Sequence, residues 1–382
     1  MIGIDVKAAI RRDARQLGFP LCGFAPLQPP PHGEFVRTWL KDGNAGNMSY
    51  LGRGLKKRLD PARVLPTARS VITVGFPYRP TRPAAIDWRA EMRGRIAAYA
   101  FGPDYHDIVR GKLEQLAASV RALGAAGTRT YIDTGPILER EWANLGGLGW
   151  FGKNTTILHQ HEGSWFFLGE IFTDLEFDPE PIVADHCGTC RRCLDLCPTG
   201  ALKDGYVMDA RLCISYLTIE YRGVIPRELR SKMGEWIFGC DICQEVCPWN
   251  DTQRSHTAEE LHPYLPDLLA LDADTYQRRF AGSAVSRASR DCFVRNVAVA
   301  LGNSRNPRAV SCLSTALDTD PSPLVRAHAA WALSQIDDAA ARRALDRVWR
   351  SECEETVRAE IKASLDTPAA RTTRESGTIN CR

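Results

Sequence analysis

Eight of the thirteen cysteines fall in one stretch of the chain at spacings that suit thiolate ligation of iron. Cys187, Cys190, Cys193 and Cys197 run as C-x2-C-x2-C-x3-C and end in Pro198; Cys213 follows alone; Cys240, Cys243 and Cys247 run as C-x2-C-x3-C and end in Pro248. The first run matches the bacterial ferredoxin pattern, in which two-residue gaps let three thiolates from one turn reach three irons of a 4Fe-4S cube. The cysteine before proline is carried to the other cluster. By that rule one cluster takes Cys187, Cys190, Cys193 and Cys247. The second motif is one cysteine short, so Cys213 joins Cys197, Cys240 and Cys243. Paired C-x2-C elements also build four-thiolate zinc sites, but zinc has no need of C-x2-C-x2-C or of two Cys-Pro endings. The remaining cysteines lack ligand spacing: Cys22, Cys292, Cys312 and Cys353 read as small buried hydrophobes, and Cys381 is expected on a frayed tail.

Two clusters pass single electrons, so something at the end of the wire must be reduced. No P-loop occurs and no GxGxxG follows an expected strand, which leaves nucleotide and flavin binding without support. The acceptor is therefore sought in the elements before the cysteines. There, SVITVGFPY (70–78) has the β-branched density of a buried strand, TRTYIDTGPILER (128–140) reads as strand, loop and helix, and WFFLGEIFT (165–173) reads as another strand. Glycines in NLGGLGWFGKN (144–154) are expected to let the backbone approach a ligand. The fold class is α/β (α+β) over residues 1–180, a ferredoxin-type double-cluster segment over 181–250, and an α-helical segment over 251–382. In that last segment Val294-Arg295, Val325-Arg326 and Val357-Arg358 open alanine-rich helices 31 and 32 residues apart, a period that suits stacked HEAT-type helix pairs.

With 382 residues, 44% of them apolar, and a formal charge of +3, the chain can bury a core but is not a general polyanion binder; nucleic-acid contact needs a local basic patch. There is no apolar run of membrane-spanning length, and the polar sequence after Arg11 and Arg12 lacks the apolar stretch of an export signal. A cytoplasmic protein is expected, and in that compartment thiols favour metal over disulfides.

The motifs MSYL (48–51), KKRLDPARVLPTARSVI (56–72), AYAFGPDYHD (98–107), YIDTGPILEREWANLGGLGWFGKNT (131–155) and GSWFFLGEIFTDLEFD (163–178), with the cysteine set, resemble the epoxyqueuosine reductase family, which is related to reductive dehalogenases. The resemblance implies a base-off cobalamin between the α/β and cluster segments and reduction of epoxyqueuosine to queuosine in tRNA, the last step of queuosine biosynthesis. It implies a corrinoid pocket of Arg58, Tyr99, Asp104, Tyr105, His106, Asp133, Lys153, Asn154 and Thr155. It also makes Asp133 the proton donor, which agrees with the chemistry, since the ring oxygen leaves as water. Burial is expected to raise the Asp133 pKa and keep it protonated. Seen alone, Asp133 before Thr134-Gly135-Pro136 reads as a turn cap. His106 is assigned to pocket lining, and Trp142, Trp150 and Trp165 to core or pocket wall.

For a tRNA substrate, Arg287, Arg290 and Arg295, with Arg278 and Arg279 just before them, read as phosphate contacts; without it they are a solvated helix face. The chain is expected to act as a monomer served by an external electron donor, without a membrane. A reductive dehalogenase would use the same cofactors but has no use for the helical segment, and a bare electron-transfer module leaves DTGP and GKNT without a purpose.

Overall fold

The computed structural model describes residues 5–78, 86–250 and 259–366, so Cys381 lies outside the described residues. The labelled elements of the first segment are α1 (Val6–Gln16), β1 (Leu21–Pro26), β2 (Ser70–Pro77), α2 (Tyr105–Ala122), β3 (Thr128–Tyr131), α3 (Glu139–Leu145) and β4 (Phe166–Thr173). The strands form one sheet in the order β1-β2-β4-β3, antiparallel at each step, with Ile72 opposite Ile171 and Val71 opposite Phe172. Successive side chains alternate between faces. Ile72, Val74 and Ile171 therefore pack with Ile10, Val109, Leu113 and Leu116, from α1 and α2. Val71 and Phe172 pack on the other face with Trp142 and Leu145 of α3. Both faces are covered, which is why β2 and β4 read as nearly continuous apolar runs.

The start of α2 is fixed by Asp104, whose side chain accepts from the His106 N–H and caps the helix. That cap sets Asp104, Tyr105 and His106 beside the chain leaving β3, where Asp133 lies. Two glycines of residues 144–154 are demanded by packing within the protein itself. A Cβ on Gly146 would stand 2.3 Å from Thr73 and one on Gly149 would stand 2.0 Å from the Leu158 carbonyl. At these two positions glycine lets chain pack on chain.

Residues 181–250 contain little regular structure: two single-turn helices, Arg192–Asp195 and Ile242–Glu245, carry the cysteine motifs, and the strand Trp236–Phe238 pairs in parallel with Arg95–Ile96. The largest buried core joins Ile96 and Ala98 to Leu217, Phe238, Val297 and Leu333, and so passes through all three segments.

The helical segment contains α4 (Arg290–Ser304), α5 (Val310–Thr319), α6 (Pro323–Ser334), α7 (Ala339–Trp349) and α8 (Glu355–Asp366). Val294, Val325 and Val357 are each fully buried where α4, α6 and α8 stack. The arginine after each valine ties down backbone oxygens. Arg295 donates to the carbonyls of Leu217, Tyr221 and Gly223, Arg326 to those of Asp320 and Pro321, and Arg358 to those of Trp349 and Glu352. The Val-Arg repeat thus reports a packing staple.

Arg295 is completely buried, so the expectation that it contacts phosphate is corrected: its guanidinium is committed to carbonyls. Arg290 is corrected for a similar reason. It forms a two-pronged ion pair with Asp320, donates to the Leu271 carbonyl and is 11% exposed. Replacing Arg295 by Met strands three carbonyls, and the unfolding free energy should fall by about 3–5 kcal/mol, read from chemical denaturation. A loss below about 1 kcal/mol would show that the staple carries no weight.

Candidate active site and cluster ligands

Asp133 has a left-handed backbone, with φ at 51°, a conformation that aspartate tolerates better than most residues. Its N–H donates to Glu139 Oε1 on α3. Its carboxylate accepts from Tyr105 Oη at 2.9 Å and from His106 Nε2 at 3.0 Å, both on α2, rather than from the turn that follows it. The turn-cap reading is therefore set aside. Arg58 donates to the Gly135 carbonyl and steadies the same loop. Gly54 makes this approach feasible, because a Cβ there would stand 3.2 Å from Pro136 and 3.3 Å from Arg58 Nη1.

His106 bridges two carboxylates: Nδ1 lies 2.7 Å from Asp104 Oδ1 and Nε2 faces Asp133. Its ring stacks on Tyr105, which stacks in turn on Phe167. The hydrogen bond to Asp133 raises the His106 pKa, burial opposes it, and the hydrogen bond to Asp104 adds to the rise. The expected rise at Asp133 is overturned. Burial does push its pKa up, but the hydrogen bonds from His106 and Tyr105 and the charges of His106 and Arg287 outweigh it, so the carboxyl is held below its usual range. The Asp133 side chain is nonetheless 55% exposed.

Beneath Asp133 lie two carboxyls that sequence reasoning missed. Glu139 is pushed up by burial and by the Asp133 charge. Glu170 of β4 is fully buried, neither of its oxygens has a hydrogen-bond partner, and burial followed by the Glu139 charge drives it well above the carboxylate range. Both carboxyls are therefore biased towards their neutral forms. The lone acid inside the apolar run of β4 was the available signal for Glu170. Arg287, whose charge acts on Asp133, pairs with Glu220 at 2.8 Å, and its guanidinium sits 5.6 Å from the Tyr50 ring.

Arg58, Tyr99, Asp104, Tyr105, His106 and Asp133 thus share one wall, with Tyr99 and Tyr105 edge to face at 6.0 Å. Thr155 joins it through Arg140, which donates to the Thr155 carbonyl. Lys153 and Asn154 belong elsewhere. Lys153 donates to the carbonyls of Gly188 (2.6 Å) and Cys190 (2.9 Å), and Asn154 donates to the Cys243 carbonyl, so both bind the loops that carry the cysteines.

The eight cysteines fall into two groups. Cys187, Cys190, Cys193 and Cys247 line one cavity together with Trp249. Cys213, Cys240 and Cys243 are electrostatic neighbours, with Cys197 beside Cys213 and Cys243. Among the described residues no three His, Cys, Asp or Glu side chains converge closely enough to hold a single metal ion. Cys190 is exposed, whereas Cys243 adjoins Tyr78, itself a neighbour of Tyr99 in the cleft wall. Trp142, Trp150 and Trp165 are all buried, as expected.

Two thiol groups beside a site built round an exposed carboxylate define an iron-sulfur oxidoreductase, and residues 186–250 match the model for a 4Fe-4S double cluster binding domain. Residues 58–134 match the model described as epoxyqueuosine reductase QueG, DUF1730, and residues 284–366 match HEAT repeats. The chain is 39% identical over 341 residues to an epoxyqueuosine reductase of Xanthomonas campestris, covering 87% of this chain and 96% of that one. It is 40% identical over 338 residues to one from Pseudomonas aeruginosa, covering 85% and 93%.

Two solved structures are similar at 30% identity, each covering 94% of this chain and 98% of the other. One is an epoxyqueuosine reductase with an epoxyqueuosine-modified tRNA-Tyr stem loop, at a TM-score of 0.87. The second, from Bacillus subtilis, has its catalytic aspartate loop swung out of the active site, at a TM-score of 0.86. The chain belongs to the epoxyqueuosine reductase family. It is an oxidoreductase, and its double-cluster domain is one that carries two 4Fe-4S clusters. The dehalogenase alternative is not favoured. Among the described residues no helix is long and apolar enough to cross a membrane.

Proposed function

We propose that this enzyme reduces the epoxide of epoxyqueuosine in tRNA to the alkene of queuosine, with Asp133 delivering protons to the departing oxygen. The observation that carries this reading is the placement of the Asp133 carboxylate. It is open to the cleft, held by Tyr105 and His106, and stands on a wall that reaches the second cysteine set through Tyr99 and Tyr78.

The cleft suits a corrin on two counts. Aromatic rings stand beside hydrogen-bonding groups in a wall of mixed character, and both Asp133 and Arg140 are open to solvent there. Arg58, Tyr99, Tyr105, His106 and Thr155 would line that ring, while Lys153 and Asn154 brace the cluster loops beside it. Cobalamin, when bound, supplies the cobalt-centred reductant for the epoxide carbon.

Cys187, Cys190, Cys193 and Cys247 hold the outer cluster, and Cys197, Cys213, Cys240 and Cys243 the inner one. An external donor delivers electrons at the exposed Cys190 side. Incubation of cluster-loaded protein with a strong artificial reductant and epoxyqueuosine-containing stem loop should yield queuosine by nucleoside mass analysis, and only when cobalamin is added. Full conversion without cobalamin would refute the assignment.

Of Arg287, Arg290 and Arg295, Arg287 alone is left to meet RNA, 46% exposed beside Tyr50, and Arg278 and Arg279 are exposed as well. Arg287→Ala should weaken binding of the stem loop and lower the slope of log K against log salt by about one, with cluster spectra unchanged. Equal affinity and slope in both proteins would remove it from the RNA surface.

A further inference from the structure

Turning an epoxide into an alkene breaks two C–O bonds, forms a C=C bond, and consumes two electrons and two protons as the ring oxygen leaves as water. The electrons arrive through the clusters. A single carboxyl carries only one proton, and Asp133 is ionised at neutral pH, because its neighbours hold it below the usual range. A carboxylate in that state has nothing to give until it is recharged.

The group placed to recharge it is His106. Its Nε2 faces Asp133 Oδ2 at 3.0 Å, its Nδ1 faces Asp104 Oδ1 at 2.7 Å, and its side chain is 18% exposed. Asp104 cannot drift, because the same oxygen caps α2 by accepting from the His106 N–H. An imidazole set between two carboxylates is held in one orientation with a proton on each nitrogen.

We propose that His106, oriented by Asp104, is the relay through which protons reach Asp133 in each turnover, making the donor a unit of three residues. This rests on the reading of Asp133 as the residue that protonates the substrate. His106 acts through Asp133 and is a positioning and supply residue. In the step, the Nε2–H proton moves to Asp133 Oδ2, Asp133 passes a proton to the departing oxygen, and the neutral imidazole takes its next proton from solvent.

Asp104 and Asp133 bracket the ring. Tyr105 stacks on it. Asp133 is faced in turn by Tyr99, by Arg287 with its partner Glu220, and by Glu139 and Glu170 from below. Of these, Asp104 alone contacts His106 without contacting Asp133.

The relay works while His106 is protonated. Turnover should therefore be sustained below the raised His106 pKa and fall as pH rises through it. Asp104→Asn keeps an oxygen that can cap the helix and accept from Nδ1–H, but it removes a negative charge. The alkaline limb of the single-turnover rate should then move to lower pH by about one unit. His106→Gln should abolish that limb and slow turnover at every pH.

A second measurement needs no turnover. Carbethoxylation of His106, followed by peptide mass mapping of cluster-loaded, cobalamin-free protein, reads the neutral imidazole, and its midpoint should shift the same way in Asp104→Asn. Should that variant fold poorly, Asp104→Ser keeps the cap and tests the same charge. An unmoved limb and midpoint in the charge-removed variant would overturn the relay. If Asp133→Asn is inactive while His106→Gln keeps the wild-type pH profile, the relay fails and Asp133 stands. If Asp133→Asn turns over normally, the reading beneath it fails as well.

Discussion

Asp133→Asn should convert epoxyqueuosine in tRNA at least about a hundredfold more slowly than wild type while loading both clusters and cobalamin normally. The asparagine keeps the shape of the side chain, an oxygen for Tyr105 Oη and His106 Nε2 to donate to, and the backbone N–H that holds Glu139. It cannot accept a proton from His106 and hand it on. An alkoxide is a poor leaving group until it is protonated, and a positioned proton donor typically contributes on the order of a hundredfold to ten-thousandfold. Nucleoside mass analysis with a strong artificial reductant isolates this step from electron supply. Turnover within a few-fold of wild type would take Asp133 out of the mechanism. Loss of cobalamin binding instead would make it a structural residue of the loop that Arg58 and Glu139 steady.

Cys213→Ala carries the second large effect. Four thiolates hold each cube, and Cys213 comes from outside both motif runs, at the start of the short helix Ile214–Ile219. Anaerobically reconstituted wild type should contain about eight iron and eight sulfide per chain. The variant should fall to about four of each, keep the outer cluster of Cys187, Cys190, Cys193 and Cys247, and lose turnover because the inner station is gone. Stoichiometric zinc in a colourless wild-type protein would sink the cluster reading, and eight iron in Cys213→Ala would reassign the eighth ligand.

The strands over 70–78 and 165–173 were legible because two covered faces demand apolar residues at every position, and the double-cluster motif because cube geometry dictates short gaps. The helical period was legible too, yet its arginines were misread. Arg295 and Arg287 have the same residue type in one basic stretch, but one is committed to three carbonyls and the other is 46% exposed. Spacing along a helix says which residues share a face, and not whether that face meets solvent or the Leu217–Gly223 backbone.

The ionisation state of Asp133 was out of reach for the same reason. It depends on His106, 27 residues away, swung alongside by the cap on α2. Lys153 and Asn154 stand next to Thr155 in one motif, yet they brace the cysteine loops, whereas the Thr155 carbonyl takes a bond from Arg140.

The core that runs from Ile96 through Phe238 to Leu333 bears on how such a protein can be divided. An enzyme assembled from separable modules can exchange its RNA-facing part for another, or shed it, and keep its redox chemistry. Here the helical repeats supply side chains to the interior of the cluster segment, and Arg295 and Asn296 complete the hydrogen bonding of its Leu217–Gly223 and Ile237 backbone. Cutting this chain before α4 would open that interior to water. In this chain the electron wire and the helices packed on it therefore share one interior.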